Sequence, residues 1–288
     1  MNAFERIHPY VLFAYFLSAI FLSSFVLQPI FAVCMLVCSV ISAFAVVGGK
    51  FGKSLLFPIL PAALLGAVIN PLFNHGGATV LAYFPSGNPL TLESILFGVS
   101  MGAMLVSVMA WFSCFNAVMT SDKLMCVFAR LSPSVSLVLS MVLRFVPRFS
   151  KRLSQIRQTR DDIMGEHRRF REKLRGGIDI FLAMLTWSLE NAVMTSDSML
   201  ARGYGTSVRT SYSNYTFSRR DAMLIVLVLL TFGYAAAGMM LGKLSFSFFP
   251  SLSEVRGDIY SFSLYADALV FGLLPLSAEL LEVRKWRV

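Results

Sequence analysis

Charge is what this chain is short of. Only 14% of its 288 residues are Asp, Glu, Lys or Arg, against 56% that are hydrophobic, and its mean hydropathy is +0.69. A soluble domain usually carries about 25% charged residues, so too few are present to cover a water-facing surface. Histidine is scarcer still: His8, His75 and His167 lie in three separate regions, which leaves no zinc-type spacing. Of the four cysteines, Cys34 and Cys38 share a helix face inside an apolar run with no histidine nearby, and Cys114 and Cys126 stand apart. They read as small buried apolar residues and not as a metal or redox pair. No Ser/His/Asp set or carboxylate pair is placed to meet in a cavity, and Glu190 and Asp197, which share a helix face, read as solvating that helix or pairing with its arginines. The stretch "GGKFGKS" at 48–54 looks like a phosphate-binding loop, but that loop needs a glycine where Val47 stands. ATP binding by this chain is therefore excluded, and no cofactor of its own is expected.

What the sequence has instead is long uncharged runs, at 10–27, 30–47, 54–73, 94–115 and 222–242, with a sixth at 261–278 carrying only Asp267. Each approaches the ~20 residues a helix needs to cross a ~30 Å hydrocarbon core. Backbone polar groups must be satisfied within lipid, so such runs are helices. The fold class expected is all-α: a polytopic membrane protein with about six transmembrane helices. The first run is preceded by Glu5, lacks a small-x-small cleavage pattern and leads through Pro29 into the second, so it reads as a retained anchor. Gly98/Gly102 and Gly238/Gly242 provide small-xxx-small spacing, best explained by packing within the chain. Asp267 is either functional, since intramembrane acids are costly, or close to the interface.

The formal net charge is +9, and its placement is uneven. Lys50 and Lys53 follow the second run, Lys123 and Arg130 follow the fourth, and 15 of the 25 Lys and Arg fall between 144 and 220. The tail adds Arg284, Lys285 and Arg287, whereas 28–29 and 74–92 carry no charge. The positive-inside bias puts both termini, the 48–53 loop and the 121–220 region in the cytoplasm of a multi-pass inner (plasma) membrane protein, and six spans satisfy every loop. Three segments follow: transmembrane helices in 1–120, a cytoplasmic region in 121–220 and further transmembrane helices in 221–288. A basic region of that length suits anionic lipid headgroups or an acidic protein partner. Nucleic acid is not expected, because no recognised binding module is present.

Within that region, Leu139, Val142, Phe145, Val146, Phe149, Leu153 and Ile156 recur at spacings of three and four, with Arg148, Lys151, Arg152 and Arg157 largely on the other side. This is an amphipathic helix starting near Pro133, which Pro147 should either bend or interrupt. The polar stretch "GEHRRFREKLRGG" at 165–177 reads as the turn that reverses the chain, and a second amphipathic helix follows at about 178–202. Arg202 stands in its last turn and Gly203 just beyond, the arrangement of a left-handed glycine cap. The heptapeptide "NAVMTSD" occurs twice, at 116–122 and 191–197, with no wider repeat around it.

The order "LSPSVSLVLSMVLRFVPRFSKRLSQIRQTRD", basic turn, apolar helix and "MLARGYGTSVRT" resembles the transmembrane T component of energy-coupling factor (ECF) transporters, the cobalt-transport Q-type permease family. The likeness is best over about 120–210 and rests on Arg144, Phe145 and Pro147 together with the "ARGYG" stretch. It implies a non-catalytic coupling subunit with two long cytoplasmic coupling helices, each ending in an x-Arg-x motif. Those arginines would dock two ABC-type ATPase subunits, which carry ATP and Mg. A membrane-embedded S component would bind the vitamin or transition-metal cargo, and the bilayer would surround the whole. By position the second motif is Ala201-Arg202-Gly203, a full match. The first falls at Thr159-Arg160-Asp161, which departs from the usual Ala-Arg-Gly or Ala-Arg-Ser, with Asp161 beside the arginine. Arg144, Pro147 and Arg157 would support the coupling helix. The competing reading is an integral membrane enzyme acting on a lipid-linked substrate, with the basic patch binding phosphates.

Overall fold

In the computed structural model, which describes residues 7–48, 56–74, 76–83, 89–131, 133–164, 170–204, 215–249, 252–253 and 258–286, the apolar runs are helical. In chain order the elements are α1 (Pro9–Phe25), α2 (Pro29–Val47), α3 (Leu56–Phe73), β1 (Val80–Tyr83), β2 (Pro89–Thr91), α4 (Leu92–Val118), α5 (Ser121–Leu131), α6 (Pro133–Met164), α7 (Phe170–Ala201), α8 (Arg219–Met240) and α9 (Ile259–Trp286). Among the described residues α2, α4 and α8 are long and apolar enough to cross a membrane, with α1 and the Ile259–Pro275 part of α9 as shorter apolar helices. Together they mark an integral membrane protein. Of the sequence features singled out above, the loop after Gly48, residues 165–169 of the basic turn and 205–210 of "MLARGYGTSVRT" lie outside the described residues.

The chain forms two compact units, Met1–Thr120 together with Tyr215–Val288, and Ser121–Asn214. In the first, α4 packs against α1, α2 and α3, and α9 joins α2 to α8, which returns to α1. Phe16, Phe31, Trp111 and Phe271 are fully buried where these helices meet. Proline inside α9 shapes one contact. Pro275 has no N–H to give the Phe271 carbonyl, and the Tyr15 hydroxyl of α1 donates to that oxygen at 3.2 Å. Tyr15→Phe is therefore expected to cost about 1–2 kcal/mol by leaving a buried carbonyl without this donor, read as a lower Tm of the purified protein with its helix content intact. Glycines permit the closest approaches: a Cβ on Gly66 of α3 would lie 3.3 Å from the Gly102 Cα, and one on Gly238 would lie 2.7 Å from Leu264. For Gly102 and Gly238 these are contacts within the chain.

The ends of this unit sort into two sets. The N-termini of α1 and α8 meet, because the His8 N–H donates to Asp221 Oδ1 at 3.2 Å. Asp221 also closes a capping box with Ser218, accepting from its N–H at 2.9 Å and its hydroxyl at 2.8 Å. At the other end Phe97 packs on Phe248 and Phe249, with ring centroids 5.1 and 5.7 Å apart. That end also carries structure the all-α expectation omitted. β1 and β2 pair antiparallel within the uncharged 74–92 stretch. The hairpin is tied to α4 by Glu93, 2% exposed, whose carboxylate accepts from the Thr79 N–H at 3.1 Å and the Thr79 hydroxyl at 2.8 Å. Gly77 leaves it room: a Cβ there would sit 2.6 Å from Glu93 Oε2.

The second unit sharpens the expectation in three places. α5 is a separate amphipathic helix, too short and too polar to stand out by hydropathy. α6 continues through Pro147, so no new segment starts there. α7 begins at Phe170, well before the expected 178, because "FREKLR" consists mostly of good helix formers that carry the helix through Gly176 and Gly177. The two copies of "NAVMTSD" show how far context decides. In the first, Met119 and Thr120 break the helix between α4 and α5; in the second, Met194 and Thr195 lie inside α7.

Candidate functional site

Arg202 stands at the C-cap of α7. Hydrogen bonds from the Tyr204 N–H to the Met199 carbonyl at 3.1 Å and from the Gly203 N–H to the Leu200 carbonyl at 2.9 Å form a Schellman turn. Gly203 takes the left-handed conformation this needs, at φ +75°. The helix is thus terminated by backbone geometry and glycine, while Ala201, Arg202, Gly203 and Tyr204 are all exposed. A side chain forced into Gly203 would pay about 1–2 kcal/mol of left-handed strain. Gly203→Ala is therefore expected to speed amide exchange over Met199–Tyr204, and Gly203→Asn to do so less; equal exchange in all three proteins would contradict the turn's role.

Arg160 is presented differently. It lies near the end of α6 with its side chain only 15% exposed, 4.0 Å from Asp161 and 4.0 Å from Asp179 of α7. Its guanidinium sits on Gly176, where any Cβ would overlap it. Thr159 and Asp161 are exposed. A groove of about 360 Å³ runs beside the guanidinium, lined by Arg152, Gln155, Ile156, Thr159, Arg160 and Ile163. Arg160 and Arg202 are far apart along the hairpin: from Gly176 to Arg202 the rise of α7 is about 39 Å at 1.5 Å per residue.

Between them, α6 grips α7 through Trp187, which the sequence reading passed over. Phe149 packs edge-on against its ring at 5.4 Å, and Phe145 stacks on Phe149 at 5.9 Å. Arg148 and Arg152 both lie over the indole, each 5.7 Å from the ring centroid. Their spacing of four residues on one helix face was the available signal. Arg144, Pro147 and Arg157 are exposed on α6, so of these three only the Arg144-Phe145-x-Pro147 stretch adjoins this grip, through Phe145. Among the described residues no three His, Cys, Asp or Glu side chains gather as a metal site.

The apolar helices mark a membrane-embedded protein, and the basic helices α6 and α7 form an arm whose end exposes Arg202. Residues 2–212 match the family described as cobalt transport protein, CbiQ. That match takes in most of the chain and both arginine positions, so the chain belongs to this family, the T components of energy-coupling factor transporters. It is a permease component of a transport system, a class that is typically non-catalytic and assembles with the other transporter subunits. No curated protein matches the chain.

Proposed function

We propose that this chain is the coupling subunit of an ECF-type ABC importer for vitamins or transition-metal ions. Arg202 and Arg160 dock two ABC-type ATPase subunits, and the hairpin transmits ATP-driven motion to a membrane-embedded S component that holds the cargo. The observation that carries this reading is the exposed Arg202 on a glycine-terminated helix end. Arginine offers a rigid fork that pairs bidentately with a carboxylate, and small neighbours let a partner surface close around it. ATP and Mg belong on the ATPases. The six apolar helices α1, α2, α3, α4, α8 and α9 form the spans, with both termini cytoplasmic. The sorting of helix ends supports this, because α1 and α8 start together and the opposite end, which carries the β1–β2 hairpin, has no run of basic residues. Apolar side chains on α7 also await a cover: Phe181, Leu189 and Val193 are each more than 60% exposed, which fits lipid or a membrane partner better than water.

Purification of the full-length chain from native membranes tests this reading. Two ATPase subunits and a small membrane protein should accompany it, and uptake should require ATP. A chain that transports alone, or that by itself turns over a lipid-linked substrate, would refute it in favour of a secondary transporter or a membrane enzyme.

A further inference from the structure

The two arginines are not in equivalent states. Arg202 is exposed, whereas Arg160 is held between α6 and α7 by Asp161, Asp179 and the notch over Gly176. We propose that this is a latch: to reach an acidic partner Arg160 gives up its pairing with Asp179 of α7 for a partner carboxylate, so docking at α6 is coupled to loosening of the α6–α7 contact. The inference rests on the docking role proposed above and specifies how one of its two contacts is regulated.

Three features support it. Both acids are themselves about half exposed, and solvent screens ion pairs of that kind to a weak net attraction, so the latch is releasable. The groove lined by Thr159, Gln155 and Arg152 runs beside the guanidinium, giving an incoming carboxylate a route to Arg160 with a second cation nearby. Glycine at 176 admits the guanidinium against the helix backbone, so a helix-interior glycine, a poorer helix former than alanine, has a steric reason there. A binding group that must first leave an internal partner binds more weakly by the fraction of time it is available. In the free subunit, then, Arg202 is the ready contact and Arg160 the conditional one.

The experiment titrates full-length chain in lipid nanodiscs with the ATPase pair that co-purifies with the wild-type protein. Asp179→Asn, nearly isosteric and on the exposed side of α7, should tighten binding two- to fivefold and speed amide exchange over 174–182 without ATPase present. Gly176→Ala, which displaces the guanidinium from its notch, should shift affinity in the same direction. Unchanged or weaker binding in both variants, with the helices still folded, overturns the latch. An Arg202→Glu arm separates the two ideas. If that variant abolishes binding while Asp179→Asn changes nothing, docking stands and the latch falls; if it binds like wild type, the docking reading itself has failed.

Discussion

Arg202→Glu is expected to abolish recovery of the ATPase subunits with the full-length chain and to reduce ATP-driven uptake to background. Removing one partner of a desolvated, hydrogen-bonded charge pair costs about 2–5 kcal/mol, roughly a 30- to 4,000-fold loss of affinity at 1.4 kcal/mol per tenfold. A glutamate adds repulsion from the partner's acid. The rival role for this arginine is a favourable charge at a helix C-terminus, worth about 0.3–1 kcal/mol when exposed. Backbone bonds from Gly203 and Tyr204 already close the helix, so its termination does not call on the arginine side chain. A capping cation would tolerate lysine, whereas a bidentate contact would not, so Arg202→Lys should fall clearly below wild type in ATPase recovery. Intact recovery and uptake in Arg202→Glu would remove docking at this position.

The second large effect concerns the β-hairpin of the first unit. Glu93→Ala is expected to free the 76–91 hairpin from α4, with a loss of about 2–4 kcal/mol, since hydrogen bonds to a charged acceptor contribute about 1.5–3 kcal/mol each. The alanine variant would leave the Thr79 N–H and hydroxyl without the carboxylate that now accepts from both. It would also remove a negative charge from the first turn of α4, where the helix dipole favours one. Hydrogen exchange over 76–83 and 89–91 should rise sharply, with little change in α1 or α8. Glu93→Gln keeps one carbonyl acceptor and should be milder. Unchanged protection in Glu93→Ala would show that the ring contacts of Phe97 with Phe248 and Phe249 suffice to hold this end.

The membrane helices were legible because hydropathy is a local property: each run of apolar residues states its own need to avoid water. The cap at Gly203 was legible for a similar reason, since a helix stop is written in two or three adjacent residues. What stayed hidden depends on partners distant in sequence. Nothing near Gly176 announces that a guanidinium from α6 will lie against it, and Asp179 looks like any exposed acid until α6 is placed beside it. The strands at 80–91 are three and four residues long and owe their order to Glu93 and Gly77, not to an alternating pattern. α5 was missed because its amphipathic character appears only once the helix is drawn. Arg160 was found by position within a motif, yet its surroundings are set by α7.

One consequence follows from where the chain leaves and re-enters the first unit. It departs after α4 at Thr120 and returns at Tyr215 just before α8, and α8 starts beside the N-terminus of α1. The intervening 94 residues are thus an inserted cassette whose two junctions belong to one end of the scaffold. On the docking role proposed above, a chimera carrying a relative's counterpart of residues 121–214 would be expected to recruit that relative's ATPases while keeping the S component held by its own membrane scaffold. Choice of ATPase and choice of S component would then be separately inherited traits of a single polypeptide.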